Sequence, residues 1–335
     1  MKLCRYIRPV GQGGFSIERI EDFVTVFDCG SVSSPQVVEK WIDKLQSEVD
    51  HVNVLFISHF DKDHVNCIKY LLNKVSVLKV ITPYIPTELR TAYSIYTNGA
   101  YSMIMQLFND IGVESEEVGK GEVNKKPYYY RDIWEWIAKS MLSPVDFAKV
   151  TINLQNRGVD LKELELNSGY VDSQKENIND SFKDVFGQSG PNAKGLIVLS
   201  QKCKDTATKL SLIFHGCEWC NYSTSRIACY VSSCLYVGDA DLKNRDNKKD
   251  VKDFLKNNQT ESPLMLMQIP HHGSKYNVGA RFETDFTAKY YFVNDINTKR
   301  IQNNQRLYNS LMLNKALLAV GDNCQDMIVT ETEVK

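Results

Sequence analysis

The feature that most constrains this chain is a group of six residues directly after a compact apolar run. Residues 52–58 (VNVLFIS) are typical of a buried strand and lead straight into residues 59–64 (HFDKDH). Four of those six side chains can bind a metal, and holding Asp61 close to Asp63 is unfavourable unless a cation offsets their charges. Carboxylates that cap a helix N-terminus would explain either aspartate but not the flanking histidines. The segment therefore predicts a metal site on a strand-to-helix loop.

The order of predicted elements indicates a sheet with helices packed on it. Short apolar runs typical of strands alternate with segments of helical spacing, and this alternation favours layers of helix on sheet. In the first third, the strand-like runs are 23–28, 52–58 and 77–81, and the helical segments are 35–49 and 65–72. After Gly195 the predicted strands are 196–199, 210–214, 227–237, 264–269, 290–293 and 316–320, with a helix at 305–313.

The middle of the chain has a different character. Long amphipathic stretches predict helices at 89–108, 128–141, 144–156 and 161–186. We therefore expect one sheet-based domain, formed by residues 1–86 and 191–335, interrupted by a helical insertion or cap at 87–190. The aromatic side chains of residues 128–136 could stack on nucleic-acid bases, although packing within the insertion is the simpler interpretation.

Composition narrows the class of protein. The chain has 335 residues, 43% apolar and 24% charged, with a formal net charge of −1, which is typical of a globular protein. The strongest sequence argument for nucleic-acid binding, an excess of Lys and Arg, is missing, but a local basic groove is compatible with these numbers. The start of the chain does not resemble a secretory signal, and no apolar run approaches the about 18 residues of a membrane helix. Nine cysteines, an odd number, favour a reducing, cytoplasmic compartment.

Two further segments place polar residues after predicted strands. Residues 236–241 (YVGDAD) present carboxylates, a weak signal by itself because Gly-Asp turns are common. Residues 268–274 (QIPHHGS) present two adjacent histidines. On extended backbone, His271 and His272 would point to opposite sides, so one would bind metal while the other supports it or donates a proton. Three polar strand ends meeting at one sheet edge would suit a hydrolytic metal site.

These segments together resemble a known family. Residues 59–64 are similar to the HxHxDH signature of the metallo-β-lactamase superfamily, in the HxDxDH form of the hydrolase domain of ComEC-type competence proteins. Four other segments follow that subgroup in the same order, resembling its "VGQGD", "DxG", "LLTGD" and "HHGS": residues 10–13 (VGQG), 26–30 (VFDCG), 235–239 (LYVGD) and 270–274 (PHHGS). The similarity covers roughly residues 1–85 and 195–325. It implies an α/β fold, the αββα metallo-β-lactamase sandwich, here with a largely helical insertion.

The resemblance also implies roles for individual residues. His59 and Asp61 would bind one metal ion, and Asp63 and His64 a second. Asp239 would bridge the two ions. The first site would be completed by His272 or His271.

Such an ion pair activates a water molecule and polarises a phosphoryl or carbonyl oxygen. Asp63 and His271 are the predicted catalytic residues, and Ser274 and Lys275 the predicted substrate contacts. Asp61 in place of a histidine makes the site harder, so this site should favour Mn²⁺ more than an all-histidine site would. Zn²⁺ is also compatible with it.

Two departures from the family pattern bear on the number of ions. Gly14 stands where the opening motif usually has Asp, and residues 293–305 lack the late histidine that family members often carry. The sequence is therefore compatible with one bound divalent ion or with two.

Three functions follow from this pattern. The first is a metal-dependent phosphodiesterase, specifically a nuclease, with a nucleic acid or nucleotide as substrate and no membrane association. The second is a hydrolase for a small molecule such as a cyclic nucleotide, lactone or thioester, with the insertion as a lid. The third is a degenerate member whose insertion docks a protein partner in a bacterial defence system.

Overall fold

The computed structural model describes most of the chain, and its strands and helices alternate as the sequence predicts. The described residues are 2–8, 10–119, 125–187, 190–203, 211–214, 225–228, 233–260, 262–279, 281–293, 302–314, 317–319 and 328–333. Strands β1 to β16 are, in chain order, Lys2–Ile7, Gly13–Ile20, Phe23–Ser31, His51–Phe56, Ser76–Pro83, Glu114–Val118, Lys125–Tyr130, Trp134–Ser140, Leu196–Lys202, Ser211–Phe214, Ser225–Ala228, Cys234–Tyr236, Leu264–Gln268, Ala288–Val293, Leu317–Ala319 and Ile328–Glu333.

The helices connect these strands. Helices α1 to α11 are Pro35–Glu48, Lys62–Val65, Ile68–Lys74, Arg90–Tyr96, Ala100–Ile111, Pro144–Asn156, Leu161–Leu166, Ser168–Phe186, Arg245–Asn258, Phe282–Asp285 and Gln305–Leu313. Short 3₁₀ turns occupy Thr87–Leu89, Gly190–Lys194 and Pro270–Gly273. Among the residues that the structure describes, no helix combines the length and apolarity needed to cross a membrane.

The strands form two sheets. A nine-stranded sheet has the order β11-β10-β16-β1-β2-β3-β4-β5-β6, and a seven-stranded sheet has the order β15-β14-β13-β12-β9-β8-β7. Within the first, β3, β4, β5 and β6 run parallel; within the second, β12, β13, β14 and β15 do. Each half therefore contains parallel strands joined by helical crossovers, the connection that parallel pairing requires.

Three apolar cores define four layers. Between the sheets lies a core that includes Phe27, Phe56, Trp136 and Phe292. A second core joins the outer face of the nine-stranded sheet to α1, α3, α5, α6 and α8. A third joins the seven-stranded sheet to α9, α10 and α11. The chain is therefore an αββα sandwich, and the predicted fold class is confirmed.

Most predicted elements are confirmed. The runs at 23–28, 52–58 and 77–81 correspond to β3, β4 and β5, and the helical spacing at 35–49 and 305–313 corresponds to α1 and α11. Parts of three predicted strands lie outside the described residues, those at 210–214, 227–237 and 316–320.

The helix predicted at 128–141 is wrong. β7 and β8 form an antiparallel hairpin there, and β8 pairs with β9 inside the seven-stranded sheet. Trp134 and Trp136 pack between the sheets while Ile137 faces the outer core, so apolar residues on both faces obscure the two-residue period of a strand. Because both tryptophans are fully buried, they are packing residues and cannot stack on bases. Segment 87–190 thus adds strands to both sheets, β6 included, and is otherwise mainly helical.

Candidate metal centre

The predicted donor side chains follow three strands that end at the same edge of the sandwich. β4 is followed by residues 57–61 and then α2, β12 by the turn that carries Asp239, and β13 by the turn Pro270–Gly273. β3 runs parallel to β4 and β12 runs parallel to β13. Loops at the carboxyl ends of such strands emerge together, which is where α/β proteins place ligand sites.

Five of these side chains converge. His59, Asp63 and His64 form one group whose donor atoms lie within 4.8 Å of one another, and His64, Asp239 and His272 form a second. The two oxygens of Asp239 are shared between histidines: Oδ1 lies 3.4 Å from Nε2 of His64, and Oδ2 lies 3.7 Å from Nε2 of His59. Asp239 therefore lies between the two histidines, the position that the resemblance gives to a bridging ligand.

His272 lies on the Asp63 side of the group. Its Nε2 is 3.6 Å from Oδ2 of Asp63. Donor atoms bound tetrahedrally at about 2.1 Å from one zinc ion lie about 3.4 Å apart, so these spacings suit ligands of a shared ion. This placement groups His272 with the predicted second pair, Asp63 and His64.

Three imidazole nitrogens of this cluster lack hydrogen-bond partners among the described residues. Nε2 of His59, of His64 and of His272 are all buried without one among the described residues. A buried polar nitrogen left unpaired is unfavourable by about 1–3 kcal/mol. Three such atoms facing the same carboxylates are explained together if a cation binds them, so the residues present fit a divalent metal.

A buried network orients two of the histidines. Nδ1 of His64 lies 2.8 Å from Oδ2 of Asp28. The Ser58 hydroxyl donates to the same Asp28 oxygen and lies 2.9 Å from Nδ1 of His59, while the Ser58 backbone N–H donates to Oδ1 of Asp28. A ligating histidine held in this way through its other ring nitrogen has a fixed orientation and tautomer.

Close backbone approach makes this network possible. Asp28 itself has a left-handed backbone, with φ of 56°. A Cβ on Gly14 would lie 2.8 Å from Cβ of Asp28 and 3.0 Å from Nδ1 of His64. The Gly14 departure from the family motif is thus accommodated: no side chain fits at position 14, and Asp28 supplies the carboxylate that meets His64.

Asp61 lies next to the two donor groups without belonging to either. The Asn192 side-chain amide donates a hydrogen bond to Oδ2 of Asp61, and Asp61 belongs to neither donor group found among the described residues. Although it is the N-cap residue of α2, its side chain makes no capping hydrogen bond. Helix capping therefore does not explain Asp61, and its predicted role as a metal ligand stays a prediction.

The backbone of the two adjacent histidines differs from the expectation. His271 and His272 are not extended but left-handed, with φ of 48° and 51°. Nδ1 of His271 lies 2.6 Å from Oδ2 of Asp239, and its side chain is 34% exposed, whereas that of His272 is 5% exposed. Both imidazoles thus lie on the same cluster. His272 contributes to a donor group and His271 borders it from the solvent side.

The predicted substrate contacts lie in the next turn. The Ser274 hydroxyl accepts a hydrogen bond from the backbone N–H of Tyr276. Lys275 is exposed, and its Nζ lies 5.3 Å from the centroid of the Tyr276 ring. Neither side chain is brought into the donor groups, so their substrate role stays a prediction.

The electrostatics of the cluster favour an added cation. Burial, assisted by neighbouring His64, lowers the pKa of His59 below its ordinary value. Burial would also lower the pKa of His64, but the carboxylates of Asp28 and Asp239 outweigh it and hold that pKa well above its usual range. Burial raises the pKa of Asp61. Burial would also raise the pKa values of Asp63 and Asp239, but the neighbouring histidines outweigh it and hold both below the ordinary value. These two carboxylates therefore stay charged, and a divalent ion would balance them.

Two residues of the site were missed by sequence reasoning. Asp28 was recognised only as part of a strand-end motif, and its DxG pattern was the available signal. Asn192 lies in the 3₁₀ turn before β9, far from Asp61 in sequence, and no local pattern marks it.

Comparisons with known proteins add solved structures of low similarity. No known protein family matches the sequence, and no curated protein matches it. YhfI from Bacillus subtilis, a metallo-β-lactamase fold protein, is 8% identical over 92% of each chain with a TM-score of 0.42.

Two further structures are similar at the same level. The short form of human tRNase Z is 10% identical, covers 87% of this chain and 91% of its own, and has a TM-score of 0.42. CmlA, a diiron β-hydroxylase from Streptomyces venezuelae, is 9% identical, covers 95% of this chain and 52% of its own, and has a TM-score of 0.46. Similarity this low supports no inference about activity, so the chemistry has to follow from the geometry of the site itself.

Proposed function

We propose that this protein is a metal-dependent phosphodiesterase, specifically a nuclease, that uses a metal-activated water. The observation that carries this proposal is a set of three buried imidazole nitrogens, on His59, His64 and His272. They have no hydrogen-bond partner among the residues that the structure describes, and they face the carboxylates of Asp63 and Asp239. The αββα layers and the ordered family motifs support membership of the metallo-β-lactamase superfamily, and of its ComEC-type subgroup, as part of the same proposal.

The donor set is compatible with Zn²⁺ or Mn²⁺. Three imidazoles suit zinc, whereas the carboxylates, with Asp61 adjacent, also suit the harder manganese ion. His64 belongs to both donor groups, so either one or two ions could be held. When bound, such an ion lowers the pKa of a water molecule and polarises a phosphoryl oxygen.

The protein's own side chains would prepare the site for this chemistry. Asp28 fixes the ring of His64 and, through Ser58, that of His59, so that both Nε2 atoms face Asp239. His271 is partly exposed and is held at Nδ1 by Asp239, which leaves it placed to deliver a proton to a leaving oxygen. A leaving alkoxide or ribose oxygen needs such a proton, so a phosphodiester is a suitable substrate.

The direct test is metal analysis combined with hydrolysis assays. Chelator-treated protein is supplied with Mn²⁺ or Zn²⁺ and assayed on bis(p-nitrophenyl) phosphate, single-stranded DNA and RNA. We expect ion-dependent hydrolysis in the parent. We expect a loss of more than about 100-fold in Asp63→Ala, because removing a ligand exceeds the 10- to 100-fold effect of outer-shell partners.

The matched control is Asp50→Ala. Asp50 is an exposed aspartate just before β4, at the end of that strand away from His59, and its removal should leave hydrolysis unchanged. Hydrolysis that survives in Asp63→Ala would come from a contaminant and would remove the support for this function.

A small-molecule hydrolase is the second candidate. A cavity of about 620 Å³ adjoins Asp61 and Asp63, within the range of about 300–1,000 Å³ of small-ligand pockets. Ion-dependent hydrolysis of bis(p-nitrophenyl) phosphate, or of a lactone or thioester, without cleavage of any oligonucleotide would favour this candidate.

A further inference from the structure

The cavity beside the metal centre continues into a second one along helix α5. The first is bordered by Asp61 and Asp63, and the second, of about 410 Å³, lies farther along the helix. Both are lined by Val65, Asn66 and Met103. They therefore form one groove, here called the α5 groove, with α2 and α3 on one side, α5 on the other, and the metal centre at one end.

The length of the α5 groove exceeds what a single nucleotide needs. Helix residues from Ala100 to Asp110 line it, a span of about 15 Å at about 1.5 Å per residue. Stacked nucleotides advance by about 3.4 Å each, so about four would fit along it. A groove that is open along its length suits a chain better than a compact substrate.

The α5 groove is lined by charges of both signs, with lysines on the side of α2 and α3 and with Asp61, Asp63 and Asp110 elsewhere in the lining. Lys62 and Lys69 line it, and both are exposed. Neither forms an ion pair with any residue that the structure describes, in contrast to Lys74 and Lys79 nearby, which pair with Asp43 and Glu114. Lysine ammonium groups of this kind bind phosphates as point charges.

The other side is apolar. Met103 is 56% exposed, and Leu107, one helical turn later, lines the same groove. Residues four apart on a helix lie side by side, so the two form a continuous apolar surface. A flexible thioether next to an aliphatic side chain can pack against flat rings of any identity, which suits bases bound without sequence preference.

We propose that the α5 groove binds a single-stranded nucleic acid, with phosphates against Lys62 and Lys69 and bases against Met103 and Leu107. This inference rests on the proposed function only for the position of the scissile phosphodiester at the Asp63 end. The overall charge of −1 is compatible with it, because the positive charge needed is local. The groove thereby selects a flexible strand, since a duplex keeps its bases stacked inside.

The test measures binding separately from cleavage. A fluorescent, cleavage-resistant phosphorothioate oligonucleotide is titrated with the full chain at several salt concentrations, as single-stranded DNA, single-stranded RNA and duplex DNA. We expect single strands to bind more tightly than the duplex. Lys69→Ala should reduce the slope of log K against log salt by about 0.7, the value for one phosphate contact on a single strand. Met103→Ala should weaken binding several-fold at every salt concentration.

Matched controls lie elsewhere on the surface. Lys40→Ala removes an exposed lysine of α1, and Met312→Ala removes a methionine of α11 that is 61% exposed. Both should bind the oligonucleotide as the parent does. Loss of salt slope in Lys40→Ala equal to that in Lys69→Ala would show non-specific attraction and overturn the proposal.

The outcomes distinguish this inference from the proposed function. If the parent hydrolyses bis(p-nitrophenyl) phosphate but binds no oligonucleotide, or if both groove variants bind as the parent does, the α5 groove proposal is wrong and the phosphodiesterase stands. If binding depends on Lys69 and Met103 but no substrate is cleaved, the groove proposal stands and the phosphodiesterase is wrong. The DNA and RNA arms decide which nucleic acid the groove prefers.

Discussion

Two clusters of charged residues are buried between the same two sheets, and they differ in how completely they are paired. In the middle of the sandwich, Arg5 and Glu18 are 1% and 0% exposed and form an ion pair. At the sheet edge, the candidate metal centre also buries carboxylates and imidazoles, with Asp239 4% and Asp63 13% exposed. The polar atoms of the first cluster are paired by hydrogen bonds within it, whereas the second cluster contains metal-donor nitrogens without a hydrogen-bond partner among the described residues.

The central cluster satisfies its polar atoms internally. The two oxygens of Glu18 accept from Arg5, Trp136, Ser200 and Tyr236. The Ser200 hydroxyl oxygen in turn accepts from the Trp134 indole and from Arg5. A buried ion pair contributes little unless such bonds complete it, and here they do. This cluster holds the two sheets together and has no capacity left for a ligand.

The metal centre shows the opposite arrangement. Its outer ring, Asp28 and Ser58, is hydrogen-bonded, but Nε2 of His59, of His64 and of His272 has no partner within the described part of the chain. The difference teaches that burial of charge alone does not identify a functional site. Several unpaired atoms facing one point do, because each of them is unfavourable and a single bound ligand would compensate all of them together.

The largest expected effect is on the central cluster. Glu18→Ala should lower the free energy of unfolding by about 3–5 kcal/mol, because it leaves Arg5 charged, buried and unpaired. Urea unfolding in the presence of a chelator measures this. Glu165→Ala, at an exposed position on α7, should change it by less than about 0.5 kcal/mol. Equal effects of the two substitutions would contradict a structural role for the ion pair.

The next effect is metal-dependent stability. Adding Zn²⁺ or Mn²⁺ to chelator-treated protein, at 100 times its dissociation constant, should raise the free energy of unfolding by about 2.7 kcal/mol. Asp63→Ala should show little of this increase, since it removes a ligand without disturbing the central cluster. If neither ion stabilises the parent, the open nitrogens do not bind metal and the comparison between the two clusters fails.

A smaller effect should come from the outer ring of the metal centre. Asp28→Asn keeps the shape of the side chain but loses the charge that holds His64, and should weaken metal affinity by about 10- to 100-fold. Competition with a chromophoric chelator measures it. Ser58→Ala should have a lesser effect, because Asp28 keeps its bond to His64. A loss of unfolding free energy in metal-free Asp28→Asn, with unchanged affinity, would make Asp28 a structural residue instead.

The parts of the molecule that could be predicted are those marked by short, local sequence patterns. β3, β4 and β5 are short apolar runs whose ends are marked by polar residues, and residues 59–64 carry four candidate ligands within six positions. The order of such elements indicated helices packed on a sheet, and the αββα class was implied by the family resemblance. Convergence of His59 with Asp239 and His272 was expected because each directly follows a predicted strand, and such strand ends can meet at one edge of a sheet.

What could not be predicted depends on contacts between distant segments. β8 is buried on both faces, so its sequence carries no clear strand period. The hydrogen bond of Asn192 to Asp61 joins residues 131 positions apart, and no local pattern encodes it. The left-handed backbone of His271 and His272 is set by the turn that follows β13 and its packing, which the sequence motif does not specify.

The pairing of β1 with β16 has a consequence for how the molecule is made. β16 lies between β1 and β10, in a register that joins Lys2 to Glu333. At about 5–20 residues per second, synthesis leaves β1 without that neighbour for roughly 15 to 65 seconds. During this interval one edge of β1 is open to pairing with other nascent chains. Chains that stop short of β16 should therefore be recovered mainly as aggregates, whichever ion is supplied.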